Sequence, residues 1–363
     1  MQLPKANVRS VALEKQPARR GRWLRDWLES YSGRMLLQAL VTVWAVVTFT
    51  FFLVRLMPGN PVDVYIDFLI NQENLTYEEA LNRAASQFAF DPDASYLEQY
   101  LSYMGGLLRG DLGRSITSTG TRVSDQILRF LPWTLFSAGL GLLLSFTLGM
   151  LLGMVMAYFR NSPLDTSISL LSSIISAVPN YIWGLLILII FGVQLQWFNI
   201  GALRGTYNPR ITPGFSWPFI ASVLRHAALP VLVYVLGTIG QWILSMRNST
   251  VSVLGEDYVN VAKARGLSQG RIVMAYVGRN ASLPLFTLLA ISIGFVLGGS
   301  IIIEELFVYN GLGSFLFRSI GQRDYTSMQG VFLVITVSVV LSNILADLLY
   351  SRLDPRVRVS GEK

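Results

Sequence analysis

The chain contains no cysteine and a single histidine among its 363 residues. Without cysteine there can be no disulfide bond, no thiolate metal ligand and no cysteine nucleophile. Three further motifs are missing: HExxH, the GxSxG nucleophile elbow and the Walker A phosphate loop. We therefore expect a non-catalytic chain that has no catalytic residues and binds neither a metal nor a cofactor by itself.

Charged residues are also scarce, at 14% of the chain, whereas hydrophobic residues make up 52%. This balance is typical of a membrane protein. A helix needs about 20 apolar residues to cross a hydrocarbon core about 30 Å thick. Six segments reach that length, so the predicted fold class is an all-α, polytopic membrane bundle of six helices. The predicted spans are Met35–Leu56, Trp133–Phe159, Ser167–Phe191, Ala227–Met246, Leu283–Ile303 and Val331–Tyr350. The first run is too long for a cleaved signal peptide, and we expect it to remain as a span.

Lysine and arginine are distributed unevenly along the chain, and their distribution predicts the orientation. Residues 1–34 contain eight basic side chains against three acidic ones, whereas residues 57–132 contain five against ten. We therefore expect both termini in the cytoplasm. The basic residues cluster at span ends, which favours contact with membrane lipid over binding to nucleic acid. The predicted organisation is a cytoplasmic arm 1–34, a first span 35–56, an extracytoplasmic loop 57–132, a core 133–350 with a cytoplasmic hairpin at 247–281, and a cytoplasmic tail 351–363.

The loop 57–132 is too long for a simple connection and too short for a large domain. Thr76 followed by Glu79 predicts a capping box that opens one amphipathic helix. Apolar residues at helical spacing predict a second helix over Ser95–Leu108. We expect a small helical cap that either shields the bundle or docks a soluble binding protein.

Several polar or helix-breaking residues lie inside the apolar segments. Pro179 is expected to kink the third span, either for purely structural reasons or because that helix lines a pathway. Asn180, Gln241 and Ser245 are candidates for a hydrated translocation path, although hydrogen bonding between helices is an equally open role.

Ionisable groups are few within the predicted spans. Asp347 is the only one expected inside a span, and it lies near the cytoplasmic end beside Arg352. His226 is expected at the surface near the outer interface. Glu304 and Glu305 are adjacent in sequence, and side chains one residue apart on a helix do not face each other. A proton-coupled carrier normally has buried ionisable residues near the midplane, so this pattern disfavours one.

The segment 256–284 is a polar, basic hairpin between two apolar segments. We predict a short helix that is capped by Asp257 or Glu256 and runs to about Arg265, a left-handed stop at Gly266, and a second helix that is capped by Ser268 and runs to about Ala281. The first helix is too short to span a membrane and is marginal alone, so a partner should hold it. Its expected common face is formed by Tyr258, Val261, Ala262 and Arg265.

The hairpin resembles the cytoplasmic coupling motif of binding-protein-dependent ABC importer permeases of the dipeptide/oligopeptide/nickel family. Ala262, Gly266, Leu267 and the Leu283-Pro284 pair match that motif, whereas Asn260 and Val261 stand where general importers have Glu-Ala. Other stretches resemble the family in the same order along residues 34–358. They are Arg55–Pro61, Gly110–Ser115, Glu304–Phe307, Gly311–Gly313, Arg323–Tyr325 and Asp354–Arg358.

This resemblance implies transport by alternating access, most simply of peptides, with nickel, heme or short glycosides as alternatives. It implies a second homologous permease subunit, two cytoplasmic ATPase subunits that bind ATP and Mg, an extracytoplasmic binding protein, and a bacterial or archaeal cytoplasmic membrane. A secondary carrier, a channel and a membrane scaffold are the competing classes. The residues implied in coupling to the ATPase are Asp257, Tyr258, Val259, Ala262, Lys263, Ala264, Arg265, Gly266 and Leu267.

Overall fold

The structure is a computed structural model that describes residues 31–56, 61–87, 95–118, 120–299 and 301–353. The predicted arm, apart from its last residues, and the tail beyond residue 353 lie outside the described residues. The described part of the chain is helical and has no β-strand. Its helices are α1 (Tyr31–Arg55), α2 (Pro61–Glu73), α3 (Tyr77–Gln87), α4 (Tyr96–Leu108), α5 (Val123–Tyr158), α6 (Pro163–Ala177), α7 (Asn180–Leu186), α8 (Trp217–Val253), α9 (Asp257–Ala264), α10 (Gly278–Gly299), α11 (Ile301–Leu306), α12 (Leu312–Gly321) and α13 (Tyr325–Leu353).

Within the described residues, five helices are long and apolar enough to cross a membrane. They are α1, α5, α8, the helix that ends with α10, and α13. A sixth span is formed only if α6 is joined to α7 and its π-helical continuation Ile187–Gln194, and this pair is bent by 93°. The all-α, multi-pass class is therefore confirmed, but the third predicted span is broken where we expected one kinked helix.

Proline chemistry explains where the third span breaks. Val178 has an extended backbone (φ −92°, ψ 123°), the conformation that a following proline favours. Pro179 has no N–H to continue the helical ladder, and α7 starts at the next residue. The break directs Asn180 against α8, where a Cβ added to Gly237 would lie 2.5 Å from the Asn180 Cβ.

The hairpin was only partly predicted. Its second helix is not separate: the short helix Gln269–Arg271, the π-helical turn Ile272–Val277 and α10 follow one another without a break. Helical backbone hydrogen bonds continue through the polar residues between 268 and 283, so these residues lie within the helix and do not end it. One long helix therefore joins the hairpin to the membrane core.

The two ends of the bundle differ. The cap end carries α2, α3 and α4 and the start of α5, α8 and α13; the hairpin end carries α9 and the start of α6. Both predicted loop helices are confirmed, since Thr76 with Glu79 and Ser95 with Glu98 form reciprocal capping boxes. Leu69 and Ala80 of this cap belong to one apolar cluster with residues of α12 and α13.

Glycines allow a close contact between α5 and α8. A Cβ added to Gly149 would lie 2.4 Å from the Trp242 Cβ, and one added to Gly153 would lie 2.6 Å from the Ile243 carbonyl oxygen. Only glycine allows this approach, so α5 and α8 are locked together along the membrane part of the bundle.

Candidate functional site

The corner of the hairpin has the predicted geometry. Gly266 follows α9 with φ +74°, in the left-handed region that favours glycine. The Gly266 N–H donates to the Lys263 carbonyl (2.9 Å) and the Leu267 N–H to the Ala262 carbonyl (3.3 Å), which together form a Schellman motif. No other atom lies within 4 Å of a Cβ built on Gly266, so the space beyond the corner is open.

The helix α9 buries one side and exposes the other. Val259 and Ala262 are buried in an apolar cluster with Met246 and Val277. Of the four residues predicted to share one face, Ala262 points into the protein, and this part of the prediction is wrong. In a helix of only eight residues, one exposed apolar residue is enough to obscure the pattern. The spacing of apolar residues alone therefore could not show which face of α9 is buried. The exposed members of the predicted coupling set are Asp257, Tyr258, Lys263, Ala264, Arg265 and Gly266, and Val261 is exposed beside them; Leu267 is half-buried.

One hydrogen bond joins the two spanning helices that flank the hairpin, and another attaches α9 to α10. Ser249 Oγ, near the end of α8, donates to the Ala281 carbonyl at 2.7 Å, so the helices that enter and leave the hairpin are joined. Asn280 Nδ2 donates to the Tyr258 hydroxyl at 2.8 Å. The helix α9 is thus bonded to α10 through Tyr258 and packs against α8 through Val259, Ala262 and Met246.

An ion pair that sequence reasoning missed lies at the same end of the bundle. Arg247 on α8 donates from Nε and one terminal nitrogen to the two carboxylate oxygens of Asp165, at 2.6 and 2.8 Å. Asp165 is buried in the first turn of α6, and the Asn161 N–H also donates to it. The partners are 82 residues apart in the chain. The one sequence feature that pointed to a role for Asp165 was its position as an acidic residue in the first helical turn after Ser162-Pro163.

The three predicted path residues line a single cavity. This cavity has a volume of about 240 Å³ and lies among α5, α7, α8 and α10. All the described residues that line it are uncharged. Its polar lining consists of Asn180, Tyr234, Thr238, Gln241, Ser245 and Ser292. Amide and hydroxyl groups from three separate helices therefore face one space in the membrane part of the bundle.

A buried carboxylate organises the cap end. Glu304 is fully buried; it accepts hydrogen bonds from Thr134 Oγ1 (2.6 Å) and from the Ser314 N–H (3.0 Å) at the start of α12. A Cβ on Gly311 would lie 2.4 Å from this carboxylate, so glycine is required there. Burial and the neighbouring Glu304 raise the pKa of the Tyr309 phenol. The stretches 304–307 and 311–313, which are separate in sequence, thus form one structural unit.

A second carboxylate joins two other stretches. Asp324 is buried and accepts hydrogen bonds from Ser115 Oγ (2.5 Å), Thr117 Oγ1 (3.2 Å) and the Ser327 N–H (3.0 Å). It caps α13 and fixes the turn that precedes α5. The segments 110–115 and 323–325, each of which resembles the permease family only weakly by itself, are in direct contact.

One expectation about an ionisable residue needs correction. His226 is buried, with its Nδ1 2.7 Å from the Ser222 carbonyl oxygen one turn earlier, and it does not lie at the surface. Helix α8 begins at Trp217, before the apolar run, and this earlier start places His226 inside a packed helix. Asp347 is exposed, whereas the buried carboxylates at the span ends are those of Asp165, Glu304 and Asp324. The side chain of Arg352 lies outside the described residues.

The chain is similar in sequence to known permease proteins. The chain is 34% identical to a putative peptide permease protein of Brucella suis, over 91% of this chain and 99% of that protein. It is 33% identical to the di/tripeptide transport system permease protein DppB of Pseudomonas aeruginosa, over 91% and 98%. It is 29% identical to the oligopeptide transport system permease protein AppB of Bacillus subtilis, over 91% and 99%.

A family model also matches, over residues 149–359. This region contains most of the residues that line the cavity, the Asp165–Arg247 ion pair, α9, and the buried carboxylates Glu304 and Asp324. Its description is the inner membrane component of binding-protein-dependent transport systems. The chain belongs to this family of transport system inner membrane components.

Proposed function

We propose that this chain is the permease subunit of an ATP-driven ABC importer that moves peptides across a bacterial cytoplasmic membrane. The observation that carries the proposal is α9, a short helix with one buried and one exposed face on a chain without a Walker A loop. An eight-residue helix is marginal alone, and burial of Val259 and Ala262 holds it in place. Its exposed side remains available to an ATPase subunit.

The exposed side has the chemistry of a docking surface. Tyr258 and Val261 are 38% and 58% exposed, and they supply apolar contact next to the charges of Lys263 and Arg265. Aromatic and arginine side chains are enriched in such interfaces. The open space at Gly266 allows close approach of a partner. In this proposal, both chain termini and α9 lie in the cytoplasm, as the Lys and Arg distribution predicts.

In this proposal, the helices carry movement of the ATPase subunits to the cavity. Closure of two ATPase subunits around ATP and Mg would displace α9, and α8 and α10 would carry this displacement to the cavity. Gln241 and Ser245 are on α8, and Ser292 is on α10, so relative movement of these helices changes the cavity directly. A second, homologous permease subunit would complete the pathway, and a binding protein would deliver the substrate at the cap end. Rigid-body switching of this kind is a common route to alternating access.

The cavity chemistry suits a peptide. Amide and hydroxyl groups can pair with a peptide backbone, whatever its side chains, because each group donates or accepts hydrogen bonds. Among the described residues, none that lines the cavity has a carboxylate or an imidazole, the usual protein ligands for a transition metal in a site without cysteine. The relatives named for peptide, di/tripeptide and oligopeptide transport support the same substrate class.

Site-specific cross-linking tests the docking surface. Because the chain has no cysteine, Val261→Cys provides a single thiol on α9, which can be linked to partner lysines by a thiol-to-amine reagent. We expect a covalent product with the ATPase subunit in the assembled transporter. Val308→Cys is the matched control, since that valine is similarly exposed (46%) but lies near the cap end. Absence of the product, or an equal yield from the control, would refute the assignment.

A transport assay tests the substrate class. The purified transporter, with its binding protein, is placed in vesicles, and uptake of a labelled dipeptide is measured with and without ATP. We expect uptake that requires both ATP and the binding protein. Uptake that proceeds equally without ATP would instead indicate a secondary carrier or a channel.

A further inference from the structure

The helix α4 has an exposed apolar stripe. Leu97, Leu101 and Leu108 are 65%, 60% and 86% exposed, and Met104 completes the stripe. Steps of four, three and four residues place all four side chains on one face of an α-helix. Ser102 is exposed on a different face. Exposed single leucines are common in proteins, but an aligned row of them indicates a surface that is normally covered.

A neighbouring side of α4, which carries Tyr100 and Tyr103, is attached to the membrane-spanning helix α1. The hydroxyls of Tyr100 and Thr48 share a hydrogen bond of 2.8 Å. The ring of Phe51, which is fully buried, lies 5.3 Å from that of Tyr100 and stacks on that of Tyr103 at 5.4 Å. These contacts fix the leucine stripe on the side of α4 that points away from its own protein.

The attachment lies at membrane depth. Thr48 is seven residues before the end of α1 at Arg55, which is roughly 10 Å along the helix at 1.5 Å per residue. It is also inside the apolar run that crosses the hydrocarbon core. A water-soluble protein that docks on the cap end does not reach a surface so far below the end of a spanning helix.

The stripe continues an apolar surface on α1. Phe49, Phe52 and Leu53 are 64%, 43% and 41% exposed, and only 17% of the spanning window of α1 is buried. Tyrosines accompany the leucines on α4, as is typical of helices at the membrane interface. Transfer of leucine side chains from water to hydrocarbon is favourable, so the aligned row provides a driving force for insertion.

We propose that α4 is an interfacial helix whose leucine stripe inserts among the acyl chains of the bilayer at the cap end. It anchors the loop 57–132 to the lipid and leaves the polar side of the loop facing water. This inference does not depend on the transported substrate or on the ATPase.

Spin labelling tests this anchor in the assembled transporter in phosphatidylcholine vesicles. Leu101→Cys and Ser102→Cys each give one thiol in this chain for a nitroxide label, and the two labels differ only in the face of α4 that carries them. Power saturation then compares collisions with oxygen, which concentrates in hydrocarbon, and with a water-soluble nickel chelate. We expect the ratio of oxygen to nickel collisions to be several-fold higher at 101 than at 102.

Two results would overturn the proposal. A ratio at 101 equal to that at 102 would place the stripe in water. Protection of 101 from both reagents would mean that protein covers it, either a neighbouring subunit or the binding protein. Two controls show that the labelled helix is folded: a ratio of oxygen to nickel collisions at 102 that is typical of a water-exposed position, and an intact complex on size-exclusion chromatography.

Discussion

Arg247 and Asp165 form a bidentate ion pair that joins α8 to α6 immediately before the chain enters the hairpin. The side chain of Asp165 is 4% exposed and that of Arg247 is 26% exposed. The carboxylate is thus held almost out of water, and its charge depends on the guanidinium. Along α8, Arg247 lies between the hairpin and the cavity residue Ser245.

Breaking the pair should destabilise the protein. Arg247→Gln leaves a buried, unpaired carboxylate, at a cost of about 3–5 kcal/mol. We expect a clear loss of thermal stability for the purified protein in a fluorescence-detected melting experiment. The matched control is Arg83→Gln, which breaks the Glu73 pair, also 2.6 Å long but with side chains 45% and 37% exposed. This control should lose at most about 1 kcal/mol. Equal effects of the two substitutions would contradict the structural role of the buried pair.

The turn after Glu304 should not tolerate a side chain at its glycine. In Gly311→Ala the new methyl group would clash with the Glu304 carboxylate, so we expect a loss of about 1–3 kcal/mol from the forced shift. Gly321→Ala, at the end of α12, is the control because nothing lies within 4 Å of its Cβ. Chemical denaturation in mild detergent can rank the two variants. If Gly311→Ala is as stable as the control, the carboxylate does not occupy its assigned position.

The capping box of α3 should respond to pH. Hydrogen bonds from the Thr76 backbone and hydroxyl lower the pKa of Glu79 below its ordinary value of 4.5. A lowered folded-state pKa means that the stabilisation is present above pH 4.5 and is lost as the pH falls through the folded value. We expect Glu79→Gln to speed amide exchange in α3 near neutral pH, with no further change on acidification. Wild-type α3 should approach the variant at low pH, after correction for intrinsic exchange. Identical exchange in both proteins at neutral pH would show that the charge of Glu79 does not stabilise the box, since a glutamine carbonyl can still accept the hydrogen bond.

A charge in the cavity should change substrate preference. Gln241→Glu adds a carboxylate to an otherwise uncharged lining, which attracts cationic peptides and repels anionic ones. We expect the uptake ratio of a lysine-containing to an aspartate-containing dipeptide to rise about tenfold, equal to about 1.4 kcal/mol. Gln322→Glu places the same charge on an exposed residue after α12 and serves as the control. An unchanged ratio in the cavity variant would show that substrate does not pass beside Gln241.

Hydropathy and local capping signals account for what could be predicted from the sequence. Spans are recognisable because the hydrocarbon core imposes a length, and Thr76 with Glu79 is recognisable because the capping box is local. The position of the break at Pro179 followed from proline chemistry, but its 93° angle depends on contacts with α8. Residues at the edges of spans were harder to place, because a helix can begin before its apolar run. Helix α8 does so, and His226 is therefore buried in the core and does not lie at the expected surface.

Long-range polar contacts could not be predicted from one sequence. Asp165 and Arg247 are 82 residues apart, and Ser115 and Asp324 are 209 apart. Nothing in the local pattern of either partner identifies the other, because their pairing is decided by how the helices pack. The division of α9 into a buried and an exposed face depends in the same way on the cluster around Val259, which exists only in the folded bundle.

The most direct test of the central claim compares two glycines that share a backbone conformation. Gly266 (φ +74°) and Gly110 (φ +76°) both face open space, so a leucine at either position imposes similar backbone strain and no internal clash. ATP hydrolysis and peptide uptake are measured together in vesicles that contain the assembled transporter. We predict that Gly266→Leu abolishes ATP-driven uptake, either by uncoupling hydrolysis from transport or by preventing ATPase assembly, whereas Gly110→Leu keeps both activities. Normal coupled uptake by Gly266→Leu would contradict the assignment of α9 and its glycine corner as the coupling element.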